Sequence, residues 1–213
     1  MIEEAARLHH NVPPNYYEES IKKNIFQRFW HFQRFKNISK ISTPVKGAIL
    51  DIGCADGTFS EIIFKKTKAE KIIGIDVLKK SVEYAAKRFK NKEKMSFMVA
   101  DAENLPFKDN QFGAVFCLEA LEHILDPKKA ILEMKRVLRP GGYLIILVPT
   151  DSLLFLVLWQ IVLMTWGKHW RETHVNSFKE RRSLQNFLEE NGLSVVEDKK
   201  FLWGMLEAVK AVK

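Results

Sequence analysis

The sequence predicts an α/β fold with a doubly wound parallel sheet, on three observations. Five short apolar runs have strand character: AILDIG (48–53), KIIGID (71–76), MSFMVA (95–100), FGAVFC (112–117) and GYLIILV (142–148). Between them the apolar spacing changes to three and four residues over 58–68, 79–90 and 127–138, and strands interleaved with helices indicate βαβ units. Two further strand-like runs, 193–201 and 206–213, are joined only by Leu202, Trp203, Gly204 and Met205, which suits an antiparallel hairpin at the sheet edge. The expected sheet has seven strands, five parallel units followed by the C-terminal hairpin.

The remaining elements follow in order. Pro13 and Pro14 break the chain before a segment in which Ile21, Ile25, Phe29, Phe32 and Phe35 recur at helical spacing, predicting one amphipathic helix from Glu18 to about Ile41. Asp126 followed by Pro127 marks a helix start, a capping carboxylate before a first-turn proline. A last helix, 178–191, ends at Asn191 and Gly192. With 213 residues one domain is expected: a helical cap (1–45), a core (46–150), an inserted segment (151–177) and a C-terminal helix with hairpin (178–213).

Composition narrows the class. At 46% hydrophobic and 28% charged residues the chain reads as globular, which excludes disordered and collagen-like classes. Two cysteines, Cys54 and Cys117, offer no disulfide framework and fit a reducing, cytoplasmic setting. MIEEAARLHH lacks the apolar segment of a secretory signal. The formal charge of +8 is uneven: residues 1–95 carry 19 basic and 11 acidic groups, and the rest balances. Such asymmetry suits an anionic partner or lysine-rich solvated helix faces such as Lys65, Lys66, Lys68 and Lys71; with no aromatic-interleaved basic stripe, nucleic acid is not favoured. The longest apolar run, 153–166, has fourteen residues, short of the roughly 17 to 25 that span a bilayer.

The stretch ILDIGCADGTFS (49–60) leads from a buried strand through a small-residue loop into a helix. Gly53, Ala55 and Gly57 remove bulk where the backbone turns and a ligand approaches, at the carboxyl end of the first strand. The loop is not GxGxxG, and the carboxylates of Asp51 and Asp56 beside it oppose a phosphate and suit a cation, an ammonium or a sulfonium. Asp76 ends the second strand twenty-three residues after Gly53, where an acid accepts from ribose hydroxyls. An adenosine with an amino acid and no phosphate is S-adenosylmethionine.

With Asp101 in VADAENLPF after the third strand and RVLRPGG (136–142) before the fifth, the sequence resembles the class I S-adenosylmethionine-dependent methyltransferases, of the type 11 and ubiquinone-biosynthesis kind, over nearly the whole chain. The resemblance implies a Rossmann-like fold, S-adenosylmethionine as cofactor, and cofactor contacts from Asp51, Gly53, Cys54, Ala55, Gly57, Asp76, Val77, Asp101, Ala102 and Cys117. In that family the residue matching Asp101 binds the adenine amino group, and Ala102 packs beside the ring.

After the fourth strand, CLEALEHILDP (117–127) carries Glu119, Glu122 and His123 at i, i+3 and i+4, which on a helix share one side facing the reacting methyl. The stretch resembles the part of ubiquinone-biosynthesis O-methyltransferases implicated in divalent-metal binding, and it also resembles a structural cap in metal-free relatives; no metal is expected. His123 and His174 are the candidate proton acceptors. Cys117 lacks the preceding proline of covalent cytosine chemistry, and Leu118, Glu119, Ala120 and Leu121 stand where amino-methylating nucleic-acid enzymes carry an Asn/Asp-Pro-Pro-aromatic motif.

The insertion, 150–178, is expected to form a buried lid, apolar all round, with an edge of Trp159, Trp166, Trp170, Lys168 and Arg171. A lipophilic acceptor, a lid over a small polar one and a dimer contact all fit it. Tyr16, Tyr17, Trp30, His31 and Arg34 are candidate contacts from the N-terminal helix. The expected activity is methyl transfer to a small or lipophilic acceptor at oxygen, compatible with peripheral membrane contact. The rivals are a nucleic-acid methyltransferase and a non-catalytic S-adenosylmethionine-binding protein.

Overall fold

The structure, a computed structural model, describes residue 6 and residues 12–150, 152–164 and 182–213. Its sheet contains β1 (Ala48–Ile52), β2 (Lys71–Asp76), β3 (Met95–Val99), β4 (Phe112–Leu118), β5 (Leu138–Pro149), β6 (Ser194–Phe201) and β7 (Leu206–Val212), in the order β3-β2-β1-β4-β5-β7-β6. The first five strands pair in parallel, while β7 runs antiparallel to both β5 and β6. The chain order reverses between β1 and β4, so the crevice beyond their carboxyl ends is where such a sheet binds ligands.

Alternation along the central strands supplies two core faces. Leu50, Ile52, Ile73, Ile75, Val115 and Cys117 pack on one side with Ile131 and Met134 of α5 (Pro127–Val137) and Leu184 and Leu188 of α7 (Ser183–Glu190). On the other side Ile49, Ile72, Ala114 and Phe116 meet Phe59 and Ile63 of α3 (Thr58–Thr67), and Ile38 and Ile41 from the N-terminal helices. A fourth crossover helix, α4 (Lys79–Arg88), follows β2. The Asp126 side chain accepts from the amide of Lys129, as its capping position predicts. β5 begins at Leu138 rather than at Gly142: its pairing steps from Phe112↔Leu138 to Ala114↔Tyr143, so Arg139, Pro140, Gly141 and Gly142 form an irregularity inside the strand. The neighbouring Arg136 donates to the carbonyls of Leu105 and Phe107 and to Asp109 and Glu133, fixing the β3–β4 connection to α5.

Three expectations are corrected. The N-terminal helix is two helices, α1 (Tyr16–Lys23) and α2 (Ile25–Ile41), because Asn24 is extended and its side chain accepts from the amides of Phe26 and Gln27. An internal cap overrides a continuous apolar period. The face of α2 is also reversed: His31, Arg34, Asn37, Ile38 and Ile41 are buried, whereas Ile25 is 72% and Phe26 73% exposed, with Phe29 and Phe32 exposed beside them. The inserted helix, α6 (Leu153–Met164), likewise buries Phe155 but exposes Leu156, Val157, Leu158 and Met164. Among the described residues no helix is long and apolar enough to cross a membrane. Residues 165–181, with His174, Trp166, Lys168, Trp170 and Arg171, lie outside the described part, as does the expected start of the last helix before Arg182.

Replacing Asn24 by Ala removes the cap of α2 and is expected to cost about 1 kcal/mol, read as a lower urea midpoint with an unchanged slope.

Candidate active site

The first βα turn is built from backbone that most residues resist. Gly53, Ala55 and Gly57 all take positive φ, and a Cβ on Gly53 would meet the Cβ of Ala120 at 2.4 Å. The turn is held from the side by β2: the amides of Gly53 and Cys54 both donate to the Ile75 carbonyl, and the Ala55 amide donates to Asp76 Oδ2 at 2.9 Å. Asp76 Oδ1 accepts from the Leu78 amide, so this carboxylate joins the ends of two strands in one orientation. Burial raises its pKa, and the backbone donors oppose that shift.

A cavity opens there, bounded by Ile52, Gly53, Ala55 and Ile75, by Asp76, Val77 and Leu78, by Asp101, Ala102 and Glu103, and by Tyr16, Tyr17, Glu119 and His123. Six residues assigned to the cofactor from sequence line it: Gly53, Ala55, Asp76, Val77, Asp101 and Ala102. The Asp101 carboxylate is oriented by the Glu103 amide, which donates to Oδ1.

Asp51, Cys54, Gly57 and Cys117 lie outside the lining. Asp51 is buried beneath the turn and accepts from Ser60 Oγ at 2.5 Å; burial, with Asp76 nearby, pushes its pKa up to about 7. Asp56 serves α1 instead, accepting from the amides of Glu18 and Thr58 with Arg88 nearby. Burial pushes both thiols well up, leaving Cys54 and Cys117 as core residues.

Cation complementarity therefore survives on different groups. Among the described residues the cavity is bounded by four acidic side chains, Asp76, Asp101, Glu103 and Glu119, the last of them ion-paired with Arg34 from behind the wall, and no Lys or Arg lines it. That set fits S-adenosylmethionine: carboxylates for ribose hydroxyls and for the positive amino-acid and sulfonium groups, apolar Ile52, Ile75 and Ala102 for the base, and nothing to hold phosphate. Pattern reading found Asp76 and Asp101 because they end β-runs; Glu103 carried no such signal.

Glu119, Glu122 and His123 do not share a helix face. Glu119 takes φ 52° after β4, and only Leu121–His123 form a short 3₁₀ turn. Arg34 of α2, 1% exposed, ion-pairs with Glu119 and donates from Nη1 to His31 Nδ1 at 2.8 Å. A guanidinium thus takes the carboxylate that a metal would need, and among the described residues no three His, Cys, Asp or Glu side chains gather as a ligand set. With Nδ1 accepting from Arg34, the His31 Nε2–H meets Ser20 Oγ, whose proton goes to the Tyr17 carbonyl. Burial and the Arg34 charge depress the His31 pKa to about 2, so this imidazole stays neutral.

Across Tyr16, Tyr17, Glu119 and His123 lies a second cavity, walled by Phe26, Phe29 and Trp30 of α2, Phe155, Leu158 and Trp159 of α6, and Leu202, Trp203 and Met205 of the β6–β7 turn. His31, Arg34 and Glu122 line it as well. The five N-terminal candidates thus reach a cavity wall, Tyr16 and Tyr17 in both cavities and Trp30, His31 and Arg34 in the second.

Known methyltransferases are similar to this chain in sequence and fold. Residues 50–146 match a family described as a methyltransferase domain. A demethylmenaquinone methyltransferase of Bacteroides fragilis is 24% identical over 99% of this chain and 93% of its own. Norajmaline N-methyltransferase of Rauvolfia serpentina is 38% identical over 54% of this chain and 40% of its own. The structure of the N-methyltransferase NodS from Bradyrhizobium japonicum, in complex with S-adenosyl-L-homocysteine, superimposes with a TM-score of 0.67 at 22% identity, covering 100% of this chain and 97% of NodS. Residues 50–146, a little under half of the chain, thus match a methyltransferase domain, and the chain as a whole shares the fold of NodS. The lining of the first cavity accordingly fits S-adenosylmethionine as a cofactor.

Asp51 gives a test of the turn. Its pKa is raised in the fold, so as pH climbs from about 4 to about 7 the unfolded chain loses this proton first. Stability falls through that window and levels above it. Asp51→Asn, whose side-chain oxygen still accepts from Ser60, is expected to flatten the decline and to raise the melting temperature at pH 8 above that of the parent.

Proposed function

We propose that this methyltransferase acts on a hydroxyl oxygen of an apolar acceptor. The observation that carries the reading is the pair of cavities sharing one wall: a carboxylate-lined chamber suited to the cofactor, and an aromatic chamber behind Tyr16, Tyr17, Glu119 and His123. The cofactor supplies an electrophilic methyl on a sulfonium. The protein's part is to align the acceptor atom with that methyl, exclude water and take up the proton of the hydroxyl. Asp76 and Asp101 hold the adenosine part, Tyr16, Tyr17 and His123 border the path between chambers, and Phe26, Trp30, Phe155 and Trp159 receive the acceptor's apolar body. A relative similar over most of the chain is named for a menaquinone precursor, an apolar acceptor.

The outer surface supports delivery from a membrane face. Ile25, Phe26, Phe29 and Phe32 project from α2 beside exposed Arg28, Lys36 and Lys40; α2 contains no Asp or Glu, and Trp203 stands 75% exposed near the same mouth. An apolar stripe with cations and no carboxylates matches an anionic bilayer surface.

Calorimetry with S-adenosylmethionine, S-adenosylhomocysteine and NADH is expected to give binding of the two adenosyl ligands only, weakened at least about tenfold in Asp76→Ala. Release of S-adenosylhomocysteine is expected with long-chain phenols and not with the matching anilines; the reverse would move the acceptor atom to nitrogen. In flotation assays the protein is expected to rise with phosphatidylglycerol vesicles and not with phosphatidylcholine ones. Ile25→Ser with Phe32→Ser, outside both cavities, is expected to abolish flotation while leaving cofactor affinity unchanged.

A further inference from the structure

Among the described residues, three polar atoms on side chains lining the second cavity are buried without a hydrogen bond, Arg34 Nε, Arg34 Nη2 and Glu122 Oε2, and of these Nη2 is ion-paired with Glu119. Nε of Arg34 and Oε2 of Glu122 are left without a partner. A donor and an acceptor left unmatched in an apolar chamber each cost free energy unless a ligand completes them. The rest of Arg34 is committed, Nη1 to His31, Nη2 toward Glu119, and its flat face over Phe59 at 4.4 Å. Its Nε–H is therefore fixed in direction by contacts that do not depend on the ligand.

We infer that Glu122 and Arg34 form the polar anchor of the acceptor, Glu122 accepting the proton of its hydroxyl and Arg34 holding the oxygen. The inference rests on the apolar-hydroxyl reading above and assigns to Glu122 the role that the sequence pattern gave to His123. In the step, the acceptor O–H bond breaks and its proton moves to Glu122 Oε2. The oxygen's electron pair forms the new O–CH3 bond as the S–CH3 bond breaks, its pair returning to sulfur, and Glu122 afterwards releases the proton to water. The groups facing Glu122 are Glu119, Arg34 and the Cys117 thiol, with His123 next in the chain. Burial and the Glu119 charge raise the Glu122 pKa to about 8, with Arg34 opposing, which places the carboxylate near the range where a base is effective.

The probe is 2-naphthol, an apolar ring with one hydroxyl, with naphthalene as its match lacking that group. Both are titrated into protein saturated with S-adenosylhomocysteine. Excited 2-naphthol is a strong acid that gives its proton to a base in contact with it, so naphtholate emission reports what touches the hydroxyl. Wild type is expected to bind 2-naphthol at least about tenfold more tightly than naphthalene, with naphtholate emission growing as pH rises through about 8. Glu122→Gln, nearly isosteric, should lose that emission with naphthalene affinity unchanged, and Arg34→Lys, which keeps the charge but lacks Nε, should lose the hydroxyl preference, the two probes then binding equally. Equal binding of the two probes to wild type, emission unaltered by Glu122→Gln, or emission lost instead in His123→Gln would each overturn the anchor while leaving the apolar acceptor in place. If neither probe binds to protein that still takes S-adenosylhomocysteine, the apolar-acceptor reading falls and the anchor falls with it.

Discussion

The ion pair between Arg34 and Glu119 is the constraint around which the site is organised. It ties α2, whose own sequence neighbours would place it on the surface, to the turn that leaves β4, with the Arg34 charge removed from bulk water and the Glu119 charge largely so. Such a pair yields little net stability when complete, but breaking it strands a charge at a cost of about 3–5 kcal/mol. The helix is thereby held in one position. Because Arg34 also meets His31 and Phe59, and His31 reaches Ser20 and Tyr17, both N-terminal helices share the same anchor.

This anchoring makes two chambers from one crevice. Without α1 and α2 the carboxyl ends of β1, β2 and β4 would open directly to solvent; with them, Tyr16 and Tyr17 stand between a carboxylate-lined space and an aromatic one. Asp56 supports the arrangement from the other end by accepting the amide of Glu18. A carboxylate beside the cofactor turn thus acts as a fastener for the cap, and the charge that suits a sulfonium comes from groups at the strand ends.

Burying a guanidinium and an imidazole on α2 has an outward consequence. A helix has a limited circumference, so a face given to His31, Arg34 and Asn37 leaves Ile25, Phe29 and Phe32 outside. The exposed stripe and the polar interior are two sides of the same rotation. α6 and the β6–β7 turn add to the apolar rim around the mouth of the second chamber.

The sheet was legible from the chain because it depends on local periodicity: runs of apolar residues at period two, helices at three and four, and a four-residue link that permits only a hairpin. Asp76 and Asp101 were legible for the same reason, since the ends of successive parallel strands converge on one crevice. The break at Asn24 was written in a capping residue but masked by a continuous apolar spacing. The rotation of α2, the placing of Asp51 and Asp56 beneath the turn rather than in the cavity, and the pairing of Glu119 with Arg34 were decided by tertiary structure. Each depends on partners distant in sequence: Glu119 lies 85 residues beyond Arg34, and Glu18 lies 38 before Asp56. By itself the sequence determined which strands form and that the acids Asp76 and Asp101 follow two of them into one crevice. Which polar groups were buried, and therefore which face of α2 meets solvent, followed only from where the folded chain had a charge left to neutralise.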